Sequence, residues 1–128
     1  KTIMDRIEKA VDYKHSGFNC CQAVVKALAD LTETDEETVN IIASGFAVGM
    51  GCMEATCGAL VGATMIAGLL KDGKGSAGAA RELLNKFKEY SGATICKDLK
   101  GRDTGVVLCG CDDCVRNAIR AFDEVAAK

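Results

Sequence analysis

The chain has no proline and no tryptophan, one histidine and few aromatic residues among its 128 positions. Without proline, nothing in the sequence forces a helix to break before its own period runs out. With His15 as the one histidine, no Ser-His-Asp or Cys-His arrangement is convincing, because a single imidazole would have to serve every role. Strand signals are nearly absent, and apolar spacings of three and four residues dominate instead. The formal net charge is only −2, with Lys and Arg scattered rather than gathered into a stripe. Neither nucleic acid nor a membrane is therefore an expected partner. The longest apolar run, "CGALVGATMIAGLL" at 57–70, has fourteen residues, whereas a bilayer span needs about 20. No signal peptide is visible, although the chain opens at Lys1 rather than Met, so a removed leader stays open.

The length fits one domain, 1–128, able to bury roughly two-thirds of the surface its unfolded chain exposes. What the chain has in excess is cysteine. Of eight, Cys109, Cys111 and Cys114 fall within "VLCGCDDCV" and Cys20 and Cys21 are adjacent in "GFNCCQAVV". Disulfides are a poor explanation. The chain can fold by burial alone, crowded thiols bridge one another badly, and several lie in helical patterns. The same density in a reducing compartment reads as metal binding or redox chemistry, and the cytoplasm is the expected location.

An all-α bundle of five to six helices is expected. The first runs from Thr2 to about Tyr13, with Ile3, Ile7 and Val11 on one face. The second follows Asn19, a good N-cap, and carries Cys21, Val25 and Leu28 to about Leu31. A third starts at Thr34, with Thr34 and Glu37 as a capping box. After the Gly-rich stretch "GFAVGMGCMEAT" at 45–56, Thr56 caps a fourth, apolar and central helix from Cys57 to about Leu70. Its small residues, Gly58 and Gly62 among them, suit close packing. A fifth spans about Ala77 to Tyr90 and stops at Gly92. A poorly patterned stretch of about 20 residues follows, a length that usually marks function. The last helix starts near Asp112.

Set on these helices, the thiols fall at telling places. Cys20 lies in the first turn of the second helix, Cys57 opens the fourth, and Cys111 and Cys114 flank the first turn of the last. A helix N-terminus stabilises a thiolate, the form that binds metal and attacks disulfides. If the helices run up and down, the second, fourth and last all begin at one end, and the fifth delivers Cys96 there. Four thiols remote in sequence then meet at one pole. Cys21, on an apolar stripe, is equally well read as a packing residue.

The chain also resembles the C-GCAxxG-C-C family of presumed redox-active proteins. "NCCQAV" at 19–24, "GMGCMEATCGALVGA" at 49–63, "CKDLKGRD" at 96–103 and "CDDCVRNA" at 111–118 are similar to four of its motifs, in order. The resemblance maps the family's cysteines onto Cys20, Cys57, Cys96 and Cys111. It implies an all-helical fold, and an iron–sulfur cluster has been associated with related domains fused to cytochromes. Departures lie at Cys21, where the family usually has Ala, at Cys52, where Gly is usual, and at the additional Cys109 and Cys114. Each lies near a motif cysteine, so this chain is expected to bind something larger, such as two clusters or one of higher nuclearity.

The leading expectation is an electron carrier rather than a catalyst. It would hold an iron–sulfur cluster, [2Fe–2S] or [4Fe–4S], on Cys20, Cys57, Cys96 and Cys111, with Cys21, Cys52, Cys109 and Cys114 in second rank. Gly49, Gly51 and Gly58 would let backbone N–H groups approach it. A structural zinc ion would use the same ligands, although only Cys111 and Cys114 form a C-x₂-C knuckle. A metal-free thiol–disulfide couple is the third reading, without the β-α-β setting that usually supports it. A redox partner protein is expected, and homo-oligomerisation is left open. "GKGSAG" at 73–78 follows a helix rather than a strand, against dinucleotide binding. His15 is better read as a surface residue than as a ligand. Asp112 and Asp113 are better read as first-turn acids than as a catalytic pair.

Overall fold

The computed structural model describes residues 2–126. It contains seven helices: α1 (Ile3–His15), α2 (Cys20–Leu28), α3 (Glu36–Ala43), α4 (Gly58–Leu70), α5 (Ser76–Ser91), α6 (Cys96–Lys100) and α7 (Cys111–Ala126). A single 3-10 turn, Ala29–Leu31, extends α2. Among the described residues there is no strand, only one isolated antiparallel bridge between Thr56 and Ile95. No helix among them is long and apolar enough to cross a membrane.

Local chemistry sets most boundaries. Thr2 and Asp5 form a reciprocal capping box at α1, and Asn19 and Gln22 form another at α2. Each satisfies donors that a helix start would leave unpaired. Gly92 ends α5 in the left-handed conformation that glycine adopts without steric cost. Two expected caps are displaced by one residue. Asp35, not Thr34, caps α3, its carboxylate accepting from Thr38 N–H at 2.9 Å. Cys57 itself, not Thr56, is the N-cap of α4. The structureless stretch expected before the last helix contains α6, a single helical turn and a half.

The core is one cluster to which every helix contributes, including Val24, Leu28, Val39, Ile66, Leu83, Phe87, Leu99 and Ile119. α4 was expected at the centre, but α2 is the more enclosed element, buried from Ala23 through Leu28. It packs on α1, α3, α4 and α7. α4 keeps one flank half-open at Val61, Thr64 and Met65. Its contact with α2 is close. A Cβ at Gly62 would stand 2.9 Å from the Cys21 carbonyl oxygen, and one at Gly58 only 2.5 Å from that of Phe46. These glycines let the two helix starts lie side by side, which puts Cys20, Cys21 and Cys57 in one neighbourhood.

Candidate functional site

Two backbone clamps fix the far side of that neighbourhood. Cys57 N–H donates to the Thr94 carbonyl at 2.8 Å, and Cys96 N–H donates to that of Ala55 at 3.0 Å. The chain leaving α5 is thereby tied to the chain entering α4, with Cys96 opening α6 beside Cys57. Gly49 packs directly on Cys96; a Cβ there would stand 2.7 Å from the cysteine's own. After α6 the loop turns back. Leu108 and Cys109 both donate to the Leu99 carbonyl, at 2.9 and 3.1 Å, and α7 then begins with Cys111.

The result is a pole of thiols. The Cys20 and Cys111 thiols interact, as do those of Cys114 and Cys57, and the Cys114 thiol also reaches the Cys109 carbonyl at 3.5 Å. In each pair one sulfur keeps the proton and the other gives it up. Cys111 is drawn down to about 5, first by the Cys20 hydrogen bond, against the cost of burial, and with help from Lys100 and Lys14. Cys57 is drawn down to about 7, first by the Cys114 hydrogen bond. Burial opposes this, while the N–H groups of Ala59 and Leu60 in the first turn of α4 and the Lys100 charge add to it. This is the thiolate-favouring helix start read from the sequence.

The donors move the other way. Cys20 is pushed up by its bond to Cys111, by burial and by the charges of Cys111 and Cys57. Cys114 is pushed up by its bond to Cys57, by burial and by the Cys57 charge. Burial raises Cys96 as well, with Lys100 pulling against it.

A half-buried ammonium completes the pole. Lys100 Nζ, at the end of α6, donates to Cys114 Sγ at 3.4 Å and to the Cys109 carbonyl at 3.3 Å. Burial disfavours its charge, but the Cys111 and Cys57 thiolates and the Cys114 sulfur that accepts its hydrogen bond outweigh that and hold it protonated.

The remaining thiols lie further out. Cys21 is fully buried, 3.8 Å from Met65 Sδ, and burial together with the Cys57 charge pushes it up to about 12. Cys109 is buried and its sulfur accepts from Asn117 Nδ2 at 3.6 Å. Cys52 is exposed on the turn Gly49–Met53, its thiol 3.6 Å from the Gly49 carbonyl. Gly51, on the same turn, faces open space, whereas Gly58 meets Phe46 and Cys21. Arg102 ties that turn to the end of α6 through the Cys52 carbonyl at 3.2 Å and Glu54 at 3.0 Å. His15 is exposed, 2.7 Å from Asp112.

Sequence reasoning missed Lys100. The available signal was its spacing: Lys100 follows Cys96 by four residues, which puts both on one face of any helix that forms there. That helix was not recognised, so the lysine was passed over.

The donors are soft thiols, two of them ionised near neutral pH, and that chemistry suits iron–sulfur or zinc binding. Among the described residues, no group of three or more His, Cys, Asp or Glu side chains is spaced to close on one metal ion. The thiols stand instead as two hydrogen-bonded pairs with Cys96 and Lys100 beside them. No curated protein and no solved structure matches the chain. A family model described as "Putative redox-active protein (C_GCAxxG_C_C)" matches residues 18–125, and the chain belongs to that family.

Proposed function

We propose that the thiol pole is the ligand set of an iron–sulfur cluster and that the protein carries electrons to and from a redox partner protein. The observation behind this reading is the gathering of Cys57, Cys96, Cys111 and Cys114, from separate segments, around one half-buried ammonium, with Cys20 against Cys111. That is more sulfur than a single dithiol couple uses, and thiolate sets of this kind are what such clusters take. When bound, the cluster would supply one-electron chemistry.

The chain's own residues do the rest. Cys57 and Cys111 offer thiolates near neutral pH, while Cys20 and Cys114 would have to release their protons. The α4 start directs N–H groups at the Cys57 sulfur. Gly49 holds Cys96 in place. Free thiols in this number fit a cytoplasmic site of action.

The pairing itself favours a second reading, thiol–disulfide exchange without metal. Each pair joins a thiolate to a protonated neighbour, the state from which a thiolate attacks a partner's disulfide and its neighbour later resolves the mixed disulfide.

Anaerobic purification with iron, zinc and acid-labile sulfide analysis separates the readings. Visible absorbance with stoichiometric iron and sulfide is the expected result. Colourless protein with stoichiometric zinc replaces it with the structural metal site. Metal-free protein whose free-thiol count rises by two on reduction replaces it with the dithiol couple.

A further inference from the structure

We infer that Lys100 is the internal counter-ion of the thiol pole, a positioning residue whose charge, held 3.4 Å from Cys114 Sγ, raises the reduction potential of the centre the thiols form. The inference rests on the redox reading of the pole, but not on which of its two forms is correct.

Orientation is the first reason. Lys97 and Arg102, the neighbouring cations, face outward into ion pairs with Glu54 at 3.2 and 3.0 Å. Lys100 turns the other way, to Cys114 Sγ and the Cys109 carbonyl. That carbonyl belongs to the residue whose own N–H is bonded to Leu99. The loop that returns to α6 thus supplies one anchor of the ammonium and the first turn of α7 the other, and the charge has a fixed address rather than a swinging stem.

Reach is the second reason. The same charge bears on Cys57, Cys96, Cys111 and Cys114, which belong to the start of α4, to α6 and to α7. Lys14, the other nearby cation, bears on Cys20 and Cys111 from the end of α1.

The sign of the effect follows from charge. If the centre is a cluster, reduction adds one electron and changes no bond. If it is a dithiol couple, two electrons from the redox partner break the S–S bond and up to two protons complete the thiols. In either case the reduced form carries more negative charge beside Nζ wherever it takes up fewer protons than electrons, and at low effective dielectric a nearby cation then favours it.

The test uses the full chain, purified anaerobically, as Lys100→Gln, Lys100→Met and Lys100→Arg. Gln keeps a donor for the Cys109 carbonyl without the charge, so it serves if Met disturbs folding. Mediated potentiometry is expected to show the neutral variants harder to reduce by at least about tenfold in equilibrium constant. That is ~59 mV lower for a one-electron centre and ~30 mV for a two-electron one. Lys100→Arg should stay close to the parent. Iodoacetamide labelling of the reduced, metal-free chain at neutral pH should slow in Gln and Met and recover in Arg.

Neutral variants with the parent's potential and labelling rate overturn the proposal. So does an Arg variant that loses as much as Gln, which would make the role one of shape. A parent chain with no reversible midpoint overturns the redox reading and the claimed effect on potential with it, while the labelling rates still judge the charge separately.

Discussion

Cys111 and Cys20 show how far a neighbour can move a thiol. Both lie half-buried at helix starts, yet one is drawn down to about 5 and the other pushed up, because a single proton serves both sulfurs. In the reduced, metal-free chain, alkylation of Cys111 should therefore persist through neutral pH and fall only as the pH drops through about 5. Cys20→Ala removes the donor that contributes most, so the same titration should move up toward the ordinary thiol value of about 8.5. Peptide mapping after labelling at a series of pH values reads both. An unshifted Cys111 profile in Cys20→Ala would mean that the pairing does not set its acidity. Which thiols pair could not be read from the sequence. Helix starts mark thiolates, but partnership depends on how α7 is rotated against α2 and α4, and rotation is set by core packing rather than by local pattern.

Among the elements, the α2–α4 contact carries the site, and its glycines are the sensitive points. Gly62→Ala puts a methyl 2.9 Å from the Cys21 carbonyl oxygen and 3.2 Å from Val24 Cβ. Neither can move without shifting a core helix, so a loss of roughly 1–3 kcal/mol is expected from urea unfolding. Gly78→Ala in α5 meets nothing within 4 Å, and helix propensity should there give a gain of up to about 1 kcal/mol. Equal effects at the two positions would rule out close packing as the reason for Gly62. The long helices were legible because their apolar residues run over several turns, and Asn19 and Gly92 mark two of their ends. The five-residue α6 was not, since one turn and a half shows no period. The one-residue errors at Thr34 and Thr56 have a common cause. Adjacent Asp35 and Cys57 can also cap, and the sequence does not rank such neighbours. The common pole of Cys20, Cys57, Cys96 and Cys111 was legible from helix order alone, whereas Cys114 as a partner of Cys57 and Lys100 as their cation came only with α6 in place.

For the whole molecule, the thiol pole makes stability depend on pH in a direction opposite to that of a core of ordinary buried thiols. In the unfolded chain every cysteine titrates near 8.5. Folded Cys57 and Cys111, drawn down to about 7 and about 5, have released protons that the unfolded chain still holds. Stability must then rise with pH across that window. Their contribution is complete above the ordinary thiol pKa and is lost as the pH falls, that of Cys57 through about 7 and that of Cys111 through about 5. Cys20, Cys114 and Cys21 behave conversely. Pushed up in the folded state, they stabilise below the ordinary thiol pKa, and their contribution fades as the pH rises beyond it. The reduced, metal-free chain should therefore be most stable in mildly alkaline solution. Its urea midpoint should climb from about pH 5 toward that maximum, and the Cys57→Ser, Cys111→Ser double variant should lose most of the climb. A parent midpoint that is flat or falling over this range, or a double variant that keeps the slope, would show that the two thiolates do not exist in the folded pole. The chemistry assigned to it would then have no nucleophile and no ready ligand.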